Sequence, residues 1–432
     1  MSASELTICP KARYIVHCAN FESMRFFILL VILLLIDWFS FQGVRYLLQN
    51  SERPVRILLY TLFWMVPVLS IAFALASANG LTDNWPKLLK VFLGTFLVIL
   101  YLSKFLMGSV ILIDDFRRLI MWIISQFSAG SSYSAGRSKF LVQLGLGLGA
   151  LPFFSLTYGL IRNPYRYKVY RDDIPIADLS TDLDGLRIVQ ISDIHSGSFL
   201  HKEPVIRSVE MINALKPDIV FFTGDLVNSK AEEMDDYIDV FDKIESKHGV
   251  FSIVGNHDYG DYHRWPNQEE KRDNFEYLKE QHRKLGWNLL LNAHAHVTVG
   301  DSTIGIIGVE NYSASKRFHK YGDMAKSVDG LLPTELKILL SHDPSHWTDQ
   351  VITDYSDIDL TLSGHTHGFQ FGVEIPGFIK WSPAQYMYKQ WAGLYQKGQQ
   401  YLYVNRGLGF LGYPGRVGIL PEITLLTLRK SN

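Results

Sequence analysis

Leu186-Arg187-Ile188-Val189-Gln190-Ile191-Ser192-Asp193-Ile194-His195 is a mostly apolar run that stops at a carboxylate and an imidazole. The same arrangement recurs four times downstream. Ile219–Phe222 leads into Gly224-Asp225, and Val250–Val254 into Gly255-Asn256-His257-Asp258. Leu336–Leu340 leads into Ser341-His342-Asp343, and Ile358–Leu362 into Gly364-His365-Thr366-His367. An apolar run of this length reads as a buried strand. A polar cluster directly after it stands at the C-terminal edge of a sheet, where α/β folds build their sites. Helical stretches between the runs, at Glu203–Leu215, Glu232–Ile244 and Asn267–Leu285, predict an α/β layered domain of about 250 residues. Further strands are expected near Val297 and at Ile304–Val309, Tyr401–Asn405 and Ile423–Leu428.

The residues before this domain are of another kind. Four stretches, Phe26–Val44, Ile57–Ala76, Leu88–Ile113 and Phe140–Ile161, are long and apolar enough to span a bilayer. Arg117–Phe127 is too short to span and reads either as an interfacial helix or as a plain connector. Gly145, Gly147 and Gly149 would permit close helix contact in the last span. Asp37 and Lys104 fall inside spans at similar depth, so they either pair within the bundle or snorkel separately. The expected division is 1–162 for the transmembrane domain and 163–432 for the second domain. The alternating stretch from Tyr165 to Arg171 reads as an edge strand opening the second domain or as a strand against lipid headgroups.

An even number of spans returns the second domain to the side of the N-terminus. Flanking Lys and Arg favour that side by nine to seven, a cytoplasmic lean that vanishes if translation starts at Met24. The 432 residues carry a net charge of −1, which argues against a nucleic-acid partner. The two cysteines, Cys9 and Cys18, precede the first span and exclude a thiolate metal site in the second domain. Of 14 histidines, only His17 precedes Asp193.

Carboxylate, imidazole and carboxamide donors without thiolate suit Mn, Fe, Zn or Ni, and to a lesser degree Mg. Two such ions about 3.5–4 Å apart activate a shared water for in-line attack on phosphorus. A bridging carboxylate is needed, and Asp225 is best placed for it, because Gly224 lets the backbone approach closely.

The set D-x-H, G-D, G-N-H-D, strand-His and G-H-T-H resembles the calcineurin-like metallophosphoesterases, in the subgroup with a multi-span N-terminal membrane anchor. The resemblance covers about Leu186 to the C-terminus and implies a four-layer β-sandwich flanked by helices, here preceded by a four-helix transmembrane bundle. It implies that Asp193, His195 and His367 hold one metal, that Asn256, His342 and His365 hold the other, and that Asp225 bridges them. His257 would be no ligand but would bond a phosphate oxygen and help the leaving oxygen depart, with Asp258 orienting it. The implied activity is hydrolysis of a phosphodiester or pyrophosphate by a metal-bridging hydroxide, with manganese one of the eligible ions. The anchor implies the lipid bilayer as partner and a lipid-linked substrate, such as the nucleotide-linked lipid A precursor that some relatives cleave. No protein partner is implied.

Tyr259, Trp265, Trp381 and Trp391 stand in loop-like stretches and are candidates for the substrate pocket. Arg406 and Arg416 would either clamp a second phosphate or form ordinary salt bridges. His294-Ala295-His296 places two imidazoles on one strand face without an acidic partner nearby, and His346 reads as structural. The alternative to an enzyme is a catalytically silent membrane scaffold or binding protein that keeps the fold.

Overall fold

The apolar runs of the first part fold into four helices, the one way a single segment can satisfy its own backbone without water. The computed structural model describes residues 10–127, 137–375 and 377–431, with side chains from residue 28 onward. Cys9 and the side chains of Cys18, Met24, Lys11, Arg13 and Arg25 lie outside the described residues. Helices α1 (Pro10–Leu47), α2 (Arg53–Ala78), α3 (Lys87–Phe127) and α4 (Lys139–Arg162) each hold a stretch long and apolar enough to cross a membrane.

Arg117–Phe127 is not a separate interfacial helix, because it is the last part of the 41-residue α3. The polar step at Asp114–Arg118 does not break the helix. Asp114 pairs with Arg117 and Asp115 with Arg118 at the i,i+3 spacing that neighbours on one helix face occupy. Two of the three glycines seat α4 against α3. A Cβ at Gly149 would stand 2.9 Å from the Ser103 carbonyl oxygen and one at Gly145 3.2 Å from that of Met107, whereas Gly147 faces nothing within 4 Å. Asp37 and Lys104 pair inside the bundle, both buried.

The chain divides into Met1–Thr157 and Tyr158–Asn432. The second unit holds two six-stranded sheets. One runs in the order β1 (Lys168–Ala177), β14 (Glu422–Ser431), β2 (Arg187–Ile191), β3 (Ile219–Thr223), β4 (Val250–Ile253) and β5 (Asn288–Leu289). The other runs β12 (Gly393–Lys397), β13 (Gln400–Val404), β9 (Leu360–Ser363), β8 (Leu336–Leu340), β7 (Ser302–Gly308) and β6 (Ala293–Val299). The basic-tyrosine stretch enters β1, an edge strand parallel to β14. A two-stranded ribbon, β10 (Val373–Ile375) and β11 (Ile379–Trp381), was not foreseen from the sequence.

The sheets pack face to face through Ile188, Phe221 and Phe251 on one side and Ile338, Leu360 and Tyr403 on the other. The outer face of the first sheet is covered by α5 (Lys202–Ala214) and α7 (Gln268–Lys284), with the short α6 (Ile238–Phe241) between them in sequence. Trp347 and Val351 cover the outer face of the second sheet. This makes four layers. Strands β2, β3 and β4 are parallel, as are β8 and β9, so within each sheet the polar clusters emerge at one edge.

Candidate metal centre

Backbone bonds tie neighbouring loops along each sheet edge, and a side chain joins one edge to the other. Asp193 N donates to Gly224 O at 2.9 Å, and Gly364 N donates to His342 O at 2.9 Å. Gln190 Nε2 crosses from β2 to Ser363 O at 2.9 Å. Gly224 has φ +95°, and a Cβ there would stand 2.6 Å from Gly255 N, so the β3 and β4 loops meet only over glycine. Five of the seven expected ligands, Asp193, His195, Asp225, His365 and His367, hold left-handed backbone angles. For residues with a Cβ this costs about 1–3 kcal/mol each and clusters at functional sites.

The outcome is two groups of donor atoms, Asp193 with His195 and His367, and Asp225 with His342 and His365. His367 Nε2 lies 3.2 Å from Asp193 Oδ1 and 3.1 Å from His195 Nε2. Asp225 Oδ2 lies 3.1 Å from His342 Nε2 and 3.6 Å from His195 Nε2, so this one oxygen faces both groups. His342 Nδ1–H donates to Thr223 O at 2.8 Å, which turns Nε2 into the cluster. His365 turns Nδ1 inward and gives Nε2 to Tyr388 Oη at 2.8 Å.

Burial works to raise the carboxyl groups, yet the imidazoles win. His367 holds Asp193 below the usual carboxylate range, as His342 and His257 do for Asp225. Burial pushes His195 down to about 3. His342 resists the same burial because Asp225 faces it, and it is lifted to about 10.

The donor set fits a pair of divalent ions. Within each group two ring nitrogens face each other, at 3.1 Å in the first and 3.2 Å in the second, a spacing that a cation held in common by the pair explains. Asn256 Oδ1 is buried with no hydrogen-bond partner among the described residues, while its amide donates to Tyr262 Oη at 2.9 Å. A carboxamide oxygen without a partner is costly unless a cation takes it.

His257 stands beside this cluster, its ring centroid 5.0 Å from that of His195. Its Nδ1–H donates to Asn228 O at 2.7 Å, leaving Nε2 as the other ring nitrogen. Asp258 does not orient it. The Asp258 carboxylate instead accepts from the backbone N–H groups of Asp225, Leu226, Val227 and Gly255 at 2.8–3.2 Å. It is saturated by the two loops it ties together, and the Asn228 carbonyl takes the orienting role. Burial and the nearby Asp225 charge push Asp258 up to about 7.

A cavity of about 550 Å³ opens over the cluster. It is lined by Asp225, Asn256, His257, His365 and His367, and by Tyr262, Arg317, Phe318, Phe369, Met387 and Tyr388. None of the six residues expected at the substrate lines it. Tyr259 is buried between Phe275 and Tyr321 and bonds Glu310. Trp265 Nε1 caps the Gly260 carbonyl at 2.7 Å. Trp391 is buried and receives Thr366 Oγ1 on its carbonyl, so it backs the Gly-His-Thr-His loop. Trp381 lies on the outside of the β10–β11 ribbon.

Arg406 and Arg416 are no phosphate clamps, because both are buried and engaged. Arg406 pairs with Glu422 and Glu374 at 2.6 Å each. Arg416 donates to the carbonyls of Arg406 and Gly407 and stands 3.3 Å from His367 Nδ1. His294 bonds Ser327 O, and His346 bonds Ser341 and stacks on Tyr312.

Two of the loops that supply the lining hold aromatic candidates visible in the sequence, but other rings in those loops face the cavity. Tyr262 lies between Tyr259 and Trp265, and Tyr388 between Trp381 and Trp391. Arg317 and Phe318 come from a loop with no motif to mark them.

Comparison with known proteins agrees with this architecture. Residues 24–164 match the family described as probable calcineurin-like phosphoesterase, transmembrane domain. Residues 186–369 match the calcineurin-like phosphoesterase family. A transmembrane protein with metallophosphoesterase domain from Danio rerio is 32% identical over 283 residues, 63% of this chain and 60% of that protein. The chain thus spans about 60% of that relative's length. The uncharacterized metallophosphoesterase YkuE of Bacillus subtilis is 30% identical over 293 residues, 66% of this chain and 95% of the relative. Among solved structures, a sulfate thiohydrolase from Thermus thermophilus aligns with TM-score 0.33 at 12% identity, over 58% of each chain. The chain belongs to the calcineurin-like metallophosphoesterases, and its transmembrane part makes it a membrane protein.

Proposed function

We propose that this protein is a phosphohydrolase, anchored in the membrane, that cleaves a phosphodiester or pyrophosphate bond with the help of two divalent ions. The observation that carries the reading is the single Asp225 Oδ2 facing both donor groups beneath the cavity. Asp193, His195 and His367 would hold one ion, Asn256, His342 and His365 the other, and Asp225 both. When bound, the ions would make a shared water nucleophilic at neutral pH and offset charge on the phosphoryl oxygens.

The chain's own residues do the rest. His257, oriented through Asn228 O, holds a proton at Nε2 and bonds a phosphate oxygen there, then passes the proton to the leaving oxygen. Arg317 supplies a cation at the same cavity for a further phosphate oxygen. Tyr262 holds Asn256 through its amide, and Tyr388 holds His365. Phe318, Phe369 and Met387 give the mouth an apolar lining that suits a lipid-linked phosphate, the nucleotide-linked lipid A precursor among them. The excess of flanking Lys and Arg supports a catalytic unit on the cytoplasmic side.

The test is turnover of bis(4-nitrophenyl) phosphate by the full-length chain in detergent. Chelation should abolish it, Mn²⁺ should restore it, and Asp225→Asn and His257→Ala should each lower it by at least about a hundredfold. A wild type inert with Mn, Fe, Zn, Ni and Mg alike, on diester and pyrophosphate substrates, would leave the silent scaffold standing.

A further inference from the structure

The β10–β11 ribbon is built inside out for a protein in water. Cross-strand partners Val373 with Trp381 and Ile375 with Ile379 share one face, and Glu374 with Lys380 share the other. All four residues of the apolar face are exposed, from 36% at Trp381 to 50% at Ile375. On the other face the ends of the two polar side chains reach back to the domain, although Lys380 is itself exposed. The Glu374 side chain, 13% exposed, takes Arg406 Nη2 at 2.6 Å, and Lys380 Nζ donates to Ala392 O at 2.6 Å. Phe378 at the turn is 80% exposed, and Ile375 on its shoulder 50%.

Two strands of three residues are marginal in water. A contiguous apolar patch of this kind on a soluble domain marks an interaction surface. The question is with what. The same chain carries four helices long and apolar enough to cross a membrane, so a bilayer accompanies this unit at all times. The apolar strip carries Trp381 and, beside it, Tyr386, the ring types that settle at the headgroup level.

We infer that the β10–β11 ribbon dips into the lipid interface with Phe378 leading, and that it presents a lipid-borne phosphoester to the cavity. Both ends of the ribbon run directly into the cavity wall. The segment before it supplies His365, His367 and Phe369, and the segment after it supplies Met387 and Tyr388. The pair of buried Arg406 with half-buried Glu374 is the clasp that holds the ribbon's polar face to the domain. Presentation rests on the phosphoesterase reading, whereas insertion does not.

The test uses the full-length chain with Cys9 and Cys18 replaced by Ser, in phosphatidylcholine–phosphatidylglycerol nanodiscs. An NBD label is placed through Phe378→Cys or, as a control, through Glu269→Cys on exposed α7. With nitroxide on the lipid tails, emission at position 378 should fall at least about twofold while position 269 is unchanged. Equal quenching at the two positions overturns insertion. A blue-shifted, unquenched label at 378 also overturns it, because the ribbon then meets protein.

In a second arm, Ile375→Asp/Phe378→Asp should leave bis(4-nitrophenyl) phosphate turnover within about twofold. Turnover of a diacylglycerol 4-nitrophenyl phosphodiester in the same discs should fall at least about tenfold, the least that losing two apolar anchors implies. Quenching with unchanged lipid turnover keeps insertion and overturns presentation. No turnover of either substrate by wild type overturns the phosphoesterase reading and presentation with it, and the quenching arm still decides insertion.

Discussion

Lys104 Nζ lies 2.6 Å from Asp37 Oδ1 inside the helical bundle, and Tyr101 donates to the other Asp37 oxygen at 3.1 Å. Neither charge snorkels. The ammonium also sits 4.2 Å from the centroid of the Phe63 ring. Removing one partner leaves the other charge buried without its counterion, a loss of about 3–5 kcal/mol for a buried pair. Asp37→Asn and Lys104→Met should each lower the thermal midpoint in detergent. The double variant should recover at least about 1 kcal/mol relative to the sum of the two. Strict additivity in this cycle would show that the contact carries no coupling.

The three glycines of α4 should behave differently although all sit in one run. Gly147→Ala meets open space and gains helix propensity, so it should stabilise the bundle by up to about 1 kcal/mol. Gly149→Ala drives a methyl group against the Ser103 carbonyl and should destabilise it despite the same propensity gain. Thermal melts of the two variants in one detergent give opposite signs if the helices approach as described.

Asp258 should prove a stability residue. Asp258→Ala leaves four buried N–H groups without an acceptor, which predicts a loss of at least about 3 kcal/mol in denaturant unfolding. Asp258→Asn points an amide at donors and should also destabilise. Neither should shift the pH midpoints of the residual turnover, as loss of an orienting partner of His257 would. A stable Asp258→Asn protein with a displaced pH profile would return Asp258 to the role expected from sequence.

These contrasts mark where sequence was legible. Each apolar run that ended in Asp, Asn or His became a strand delivering that residue to one edge, because burial on both faces demands an uninterrupted run and the strand's end is the first point where a polar side chain fits. The spans were legible for the same reason, since length and apolarity decide them. The inside and outside of charged and aromatic residues were not. Arg406 finds Glu422 and Glu374 from 16 and 32 residues away, a distance no local pattern reports. Tyr259 and Tyr262 differ by one turn of loop, and only the packed loop shows which ring is stacked in the core and which faces the site. The ribbon is not legible in sequence because three residues per strand are too few to establish a period, and its apolar face looks outward.

His282 gives the unit a pH dependence of its own, away from the donor cluster. It is fully buried against Phe222 and Trp287, and its Nδ1 lies 3.0 Å from Ser252 Oγ. Burial alone pushes it down to about 3. The unfolded chain protonates this imidazole near pH 6.5, whereas the folded one stays neutral until about pH 3. Its contribution to stability is therefore complete above pH 6.5 and is lost progressively as pH falls toward 3. The slope can reach about 1.4 kcal/mol per pH unit, the effect of one proton bound only by the unfolded state. His282→Gln keeps a hydrogen-bonding group for Ser252 but cannot titrate. Denaturant midpoints measured from pH 7 down to pH 4 should fall less steeply in this variant than in wild type. Parallel curves for the two proteins would mean that the imidazole is already charged in the folded state or reaches solvent.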